Sequence, residues 1–85
     1  MTDTARRRVL VVEDEPLVAM VIEDAIGELG QDVVGPIAEF HEALALVADG
    51  ELCCAILDIN VRGGNSYPVA DILSRRGVPV LLMSG

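Results

Sequence analysis

Residues 8–16 read Arg8-Val9-Leu10-Val11-Val12-Glu13-Asp14-Glu15-Pro16, and this stretch decides the fold of the 85-residue chain. After Arg8 come four apolar residues without polar alternation, which predicts a strand buried on both faces of a sheet. Pro16 suits the first turn of a helix because its missing N–H would have no helical partner there, and acids just before it complement the helix N-terminus. We therefore expect a buried strand, an acidic corner and then a helix.

The rest of the chain repeats this alternation of apolar strand and amphipathic helix. Further strands are predicted over residues 32–36, 53–57 and 78–83, and helices over residues 17–29, 39–48 and about 67–76. The predicted apolar stripe of the first helix comprises Val18, Val21, Ile22, Ala25, Ile26 and Leu29. Gly63-Gly64-Asn65 is typical of a loop, and Ser66 is placed to cap the third helix.

The resulting order βαβαβαβ predicts an α/β protein with a parallel sheet and helices on both faces. Among doubly wound sheets, the flavodoxin-like order suits so short a chain best, which gives 2-1-3-4 for the four strands present. We therefore expect a flavodoxin-like doubly wound parallel sheet.

The composition excludes several classes of protein. Fourteen acidic against six basic residues give a formal net charge of -8, so a nucleic-acid-binding face is not expected. A hydrophobic fraction of 52% is too high for a disordered acidic tail, and no apolar run approaches the roughly 20 residues that span a bilayer. The adjacent Cys53 and Cys54 predict neither a disulfide with each other nor a zinc site. We expect a cytoplasmic protein that binds no membrane.

Acidic side chains are predicted to meet at one edge of the sheet. In open α/β sheets ligands bind at the carboxyl ends of the strands, near the point where strand order reverses. Strand 1 ends in Glu13 and Asp14, strand 3 in Asp58, and strand 4 in Ser84. Two carboxylates ~4 Å apart repel by roughly 4 kcal/mol at an effective dielectric near 20. Oxygen ligands without His or Cys favour Mg²⁺ as the cation that relieves this repulsion.

Three segments resemble strand signatures of the receiver domains of two-component response regulators. They are Val9-Leu10-Val11-Val12-Glu13-Asp14-Glu15, Ile56-Leu57-Asp58 and Val80-Leu81-Leu82-Met83-Ser84-Gly85. The resemblance implies that Asp58 accepts a phosphoryl group from a sensor histidine kinase or a phosphotransfer protein. It also implies that Glu13, Asp14, Asp58 and the backbone carbonyl of Asn60 bind Mg²⁺, and that Ser84 hydrogen-bonds the phosphoryl group and shifts on activation.

Asn60 and the segment Ser66-Tyr67-Pro68-Val69-Ala70-Asp71 further resemble small single-domain receivers, whose fourth strand usually ends in Thr-Gly-Tyr. Here that end reads Met83-Ser84-Gly85. The chain also departs from the family because it has no lysine, whereas receivers carry a phosphoryl-contacting lysine on a fifth strand. We expect residues 1–85 to form a receiver domain that is incomplete at its C-terminus, without the fifth strand and the last helices.

Three functions remain open on the sequence. The first is a phosphoacceptor receiver, which is no enzyme beyond phosphorylating and dephosphorylating itself. The second is a non-switching interaction module that self-associates, as a homodimer or by swapping, through the exposed edge of its fourth strand. The third is a Mg²⁺-dependent phosphatase, although Asp58-Ile59-Asn60 lacks the second acid of the usual Asp-x-Asp pattern.

Overall fold

The computed structural model describes residues 7–48 and 50–83. Its strands are β1 (Arg8–Val12), β2 (Asp32–Ile37), β3 (Cys54–Asp58), β4 (Asn60–Val61), β5 (Gly64–Asn65) and β6 (Val80–Met83). Its helices are α1 (Pro16–Glu28), α2 (Phe40–Val47) and α3 (Tyr67–Arg75). The four longer strands form a parallel sheet in the order β2-β1-β3-β6. This confirms the predicted flavodoxin-like order 2-1-3-4.

The sheet has a hydrophobic cluster on each face. Residues 9–12 of β1 are all buried, as expected for a strand covered on both sides. On one face, α2 and α3 pack against the sheet through a cluster of buried residues: Leu10, Val12, Ala43, Val47, Ala55, Leu57, Val61, Val69, Leu73 and Val78. On the other face α1 contributes Ile26 to a smaller cluster with Val9 and Val11. Neither this helix nor another in the described part of the chain could cross a bilayer.

The predicted stripe of α1 is wrong in part. Ala19 and Ile26 are its buried residues, and Ile22 packs against the small cluster. Four other members of the predicted stripe are exposed: Val18, Val21, Ala25 and Leu29. The reason is that α1 rests on the sheet along a narrow line, so that the flank carrying Leu29 borders an open groove over β3. Periodicity identified the apolar side of the helix and overestimated how much of it is covered.

The segment between β3 and α3 also differs from the prediction. The sequence predicts a loop at Gly63-Gly64-Asn65, but β4 and β5 pair antiparallel there, with Asn60 opposite Asn65 and Val61 opposite Gly64. Val61 is buried in the larger cluster, and the amide of Phe40 donates to the carbonyl of Arg62 at 2.8 Å. Burial of Val61 and contact with the start of α2 therefore order a segment whose glycines predict an irregular turn.

Gly35 lies in β2 at the shift in register against β1. The pairing of β1 with β2 shifts register between Leu10 and Val12, after which the amide of Glu13 donates to the carbonyl of Ile37 at 2.9 Å. A Cβ on Gly35 would lie 2.8 Å from the carbonyl oxygen of Val11 and 2.7 Å from the amide nitrogen of Ile37, at a φ of +107°. Glycine at this position lets the end of β1 sit against β2.

Gly35→Ala should lower the free energy of unfolding by more than about 2 kcal/mol, because backbone strain and a backbone clash act together. Gly30→Ala is the matched control, since Gly30 also has a positive φ, +77°, but nothing lies within 4 Å of its Cβ position. That control should cost only about 1 kcal/mol. Urea unfolding of both variants checks this, and equal losses would show that the close approach of β1 and β2 has no energetic weight.

Candidate functional site

Pairing of β1 with β3 brings three carboxyl groups together. Val12 lies beside Leu57 in the parallel register, so the residues that follow, Glu13 and Asp58, leave the sheet at the same edge. One carboxylate oxygen each from Glu13, Asp14 and Asp58 lies within 4.8 Å of the other two. These residues, named here the carboxylate cluster, are the three acids that the sequence predicts to meet at this edge.

Glu13 is the most enclosed member of the carboxylate cluster, with 5% of its surface exposed. One of its oxygens accepts a hydrogen bond from the amide of Glu15 at 2.9 Å, which favours the charged form. Burial raises the pKa of Glu13 above its ordinary 4.5, and the neighbouring charges of Asp58 and Asp14 raise it further. The carboxylate cluster therefore stores electrostatic repulsion that a cation or a proton would relieve.

Ser66 holds the carboxyl end of β3 in place through hydrogen bonds to the backbone. Its side chain is fully buried, and its hydroxyl donates to the backbone carbonyl of Asp58 at 2.5 Å. Its amide donates to the carbonyl of Ile59 at 2.7 Å. Ser66 does occupy the cap position of α3, but its side chain makes no capping bond, and Asn65 accepts from the amide of Tyr67 at 3.0 Å instead. The predicted capping role was wrong because the hydroxyl turns to Asp58.

A groove of about 340 Å³ opens beside the carboxylate cluster. Its walls include Glu13 and Asp14 on one side and Met20 and Glu23 of α1 on another. Arg62 is the single basic residue among the described residues that line it. A molecule that enters this groove from solvent can therefore reach Glu13 and Asp14, two of the three carboxyl groups. The guanidinium of Arg62 lies in the same groove.

The structure does not test the predicted roles of Asn60 and Ser84. Asn60 is exposed at the start of β4, two residues beyond Asp58, and its carbonyl as a metal ligand stays a prediction. Ser84 lies outside the described residues, immediately after β6, and its phosphoryl contact also stays a prediction. Reasoning from the sequence missed the positioning role of Ser66, because a serine eight residues beyond an acid at a strand end gives no local signal of such a role.

Ser66→Ala should lower the free energy of unfolding by about 1–3 kcal/mol, because it removes the hydrogen bond to the buried end of β3. Ser74→Ala is the control, since Ser74 is an exposed serine of α3 and its loss should change stability by no more than about 0.5 kcal/mol. Chemical unfolding followed by circular dichroism measures both. A Ser66→Ala protein as stable as the control would contradict the assigned contact.

Glu13→Gln should stabilise the protein at neutral pH in the presence of a chelator. The raised pKa of Glu13 means that its stabilising contribution is complete below the ordinary value of 4.5 and is lost as pH rises through the folded-state pKa. The gain from Glu13→Gln should therefore appear at neutral pH and vanish in acid. Thermal unfolding against pH, with exposed Glu28→Gln as the control for net charge, tests this sign. A loss of stability at neutral pH would contradict it.

Searches of known proteins found clear relatives. No family model matches the chain. The phyllosphere-induced regulator PhyR of Methylorubrum extorquens is 34% identical over 79 residues, which cover 89% of this chain and 30% of PhyR. The chain spans about a third of the length of the curated relatives it matches, with shares from 30% to 38%.

Solved structures agree. SdrG from Sphingomonas melonis Fr1 superposes with a TM-score of 0.84 at 43% identity, covering 94% of this chain and 69% of SdrG. The receiver domain of the PhyR response regulator from Erythrobacter litoralis superposes with a TM-score of 0.81 at 33% identity, covering 94% and 64%. SdrG has also been solved in a BeF₃-activated conformation, with a TM-score of 0.72 and 44% identity to this chain. By its sequence, its strand order and its solved neighbours, the chain belongs to the receiver domains of response regulators.

Proposed function

We propose that this chain is a phosphoacceptor receiver and that Asp58 takes a phosphoryl group from a sensor histidine kinase or a phosphotransfer protein. The observation that carries the proposal is the meeting of Glu13, Asp14 and Asp58 within 4.8 Å at the carboxyl edge of the sheet. Support also comes from SdrG, whose activated conformation contains BeF₃, a mimic of a phosphoryl group.

The resemblance to receiver domains assigns the role of nucleophile to Asp58. It is half-buried, while Glu13 is buried and holds the amide of Glu15. In the proposed step, a carboxylate oxygen of Asp58 attacks the phosphorus of a phosphohistidine. The P–N bond then breaks, and its electron pair returns to the imidazole of the donor. Ser66 holds the backbone of Asp58 in place during this step, because the hydroxyl bonds its carbonyl.

The donor set fits Mg²⁺. Three carboxylates without histidine or cysteine offer the hard oxygen ligands that this ion prefers, and the groove beside them leaves room for the water molecules it retains. Glu13 and Asp14 would hold the ion, together with Asp58 and the carbonyl of Asn60. When bound, Mg²⁺ supplies positive charge that offsets the repulsion within the carboxylate cluster and the charge of the incoming phosphoryl group.

Arg62 is the basic side chain at this site in the described part of the chain. It lines the same groove as Glu13 and Asp14, and the sequence contains no lysine. A guanidinium there favours the approach of an anionic phosphodonor to a strongly acidic protein. The phosphoryl group is transferred to the chain's own side chain, so the protein is no enzyme beyond phosphorylating and dephosphorylating itself.

Incubation with acetyl phosphate and Mg²⁺ should add one phosphoryl group to the chain, and Asp58→Asn should abolish the adduct, because an amide is not a nucleophile for phosphorus. Intact-mass spectrometry measures the adduct. Asp24→Asn, which removes an exposed acid of α1 outside the carboxylate cluster, is the matched control and should be phosphorylated like the parent protein.

Omission of Mg²⁺, or addition of a chelator, should suppress the adduct on the parent protein. Two results would contradict the proposal: a parent protein that forms no adduct with Mg²⁺ present, and an adduct that survives Asp58→Asn.

A further inference from the structure

The backbone of Arg62 is held in place from two directions. Arg62 follows β4 directly, and its carbonyl accepts a hydrogen bond from the amide of Phe40 at 2.8 Å. It also forms a parallel bridge with Glu39, the residue that precedes α2. The β4–β5 hairpin and the start of α2 therefore fix where Arg62 stands beside the groove, although the residue itself is exposed.

The guanidinium of Arg62 has no partner within residues 7–48 and 50–83. It takes part in no ion pair and no hydrogen bond there. Glu39, the acid bridged to Arg62, is engaged elsewhere: its carboxylate accepts from the amide of Glu42 at 3.1 Å and contacts Nδ1 of His41 at 2.8 Å. The positive charge of Arg62 is therefore available to a molecule that enters the groove.

The groove carries charges of both signs on its walls. Besides Arg62, its charged lining residues are Glu13, Asp14 and the exposed Glu23 of α1. Its walls come from β2, α1 and the segments that follow β1 and β4, and β2 is the strand farthest from β6 in the sheet. A carboxylate oxygen of Asp58 lies within 4.8 Å of one oxygen each of Glu13 and Asp14. A donor bound in the groove is therefore close to the proposed nucleophile.

A phosphoryl dianion is the group that an unpartnered guanidinium recognises best. Its planar fork of N–H donors matches two ionised oxygens on one phosphorus atom. The acids around the groove repel every anion, and they repel a dianion more strongly than a monoanion, because the energy of two charges is proportional to both of them. For the same reason the attraction of Arg62 is larger for a dianionic donor than for a monoanionic one.

We propose that Arg62 binds the phosphoryl group of the phosphodonor before transfer and thereby selects dianionic donors. This inference rests on the proposed function, because it concerns which donors the phosphoacceptor site accepts. It goes beyond a general attraction of anions, since it assigns a contact between the guanidinium and the phosphoryl oxygens.

Two small phosphodonors separate this selectivity from general reactivity. At neutral pH acetyl phosphate is a dianion and phosphoramidate is a monoanion. In both reactions a carboxylate oxygen of Asp58 forms a bond to phosphorus. The P–O bond to the acetyl group breaks in the first, and its electron pair leaves with acetate. The P–N bond breaks in the second, and its electron pair leaves with ammonia.

The first test compares the rates of phosphorylation by the two donors, measured by intact-mass spectrometry at neutral pH over a concentration series with Mg²⁺. Arg62→Met should raise the half-saturating concentration of acetyl phosphate about threefold or more, and that of phosphoramidate by less than about twofold. The rate at saturation should stay unchanged, because the lost contact exists already in the bound ground state. Circular dichroism should show that the variant keeps the parent fold.

Arg75→Met is the matched control, because it removes the same charge from an exposed arginine in the last turn of α3, where Arg75 pairs with Asp71 at 3.1 Å. It should leave the preference between the two donors unchanged. Glu23→Gln gives the opposite sign. It removes a negative charge from the groove and should therefore lower the half-saturating concentration of acetyl phosphate.

The second test measures donor binding without transfer. Asp58→Asn lacks the nucleophile, so acetyl phosphate with Mg²⁺ can be titrated into this variant and followed by NMR. Adding Arg62→Met to Asp58→Asn should again raise the half-saturating concentration about threefold or more. This readout does not depend on phosphorylation, so failure of this proposal is separate from failure of the proposed function.

The proposal would be overturned if Arg62→Met left the binding of acetyl phosphate to the Asp58→Asn protein unchanged. It would also be overturned if Arg62→Met weakened both donors equally, or if Arg75→Met changed the preference between the donors as much as Arg62→Met does. Weaker use of acetyl phosphate after Glu23→Gln would contradict the opposing effects assigned to the two walls of the groove.

Discussion

The mutual repulsion of three carboxylates is the central physical constraint in this structure, because the fold holds one oxygen of each within 4.8 Å of the other two. Parallel pairing of β1 with β3 imposes this proximity, because neighbouring parallel strands have their carboxyl ends at the same edge of the sheet. The amide of Glu15 and the hydroxyl of Ser66 then hold the chain on either side of the carboxylate cluster. The cation proposed for this site would offset the repulsion.

The sheet and the carboxylate cluster could be predicted from the sequence because both follow from local pattern. Three apolar runs without polar alternation identify buried strands, and the helices between the strands make the sheet parallel. The strand order followed because the flavodoxin-like order suits so short a chain best. Glu13, Asp14 and Asp58 each come directly at the end of such a run. Once the strands are parallel, their ends have to meet, and so the acids at those ends meet as well.

Other features could not be predicted because they depend on packing between distant segments. Which side of α1 rests on the sheet depends on how Ile26 packs against Val9 and Val11. Leu29 borders an open groove and is exposed despite its place in the apolar stripe. The β4–β5 hairpin forms where Val61 is buried under α2 and α3. The hydroxyl of Ser66 donates to the carbonyl of Asp58 and makes no capping bond to the helix that follows it. No local pattern in the sequence predicts these three arrangements.

The most direct measurement of this electrostatic constraint is the side-chain carboxyl pKa of Glu13, followed by NMR titration of the folded protein without and with Mg²⁺. Without the ion, burial and the charges of Asp58 and Asp14 should raise this pKa above 4.5. With Mg²⁺ present the pKa should fall, because a cation favours the charged carboxylate. A Glu13 that titrates at its ordinary value and does not respond to Mg²⁺ would contradict the central claim that these carboxylates form a cation-binding site.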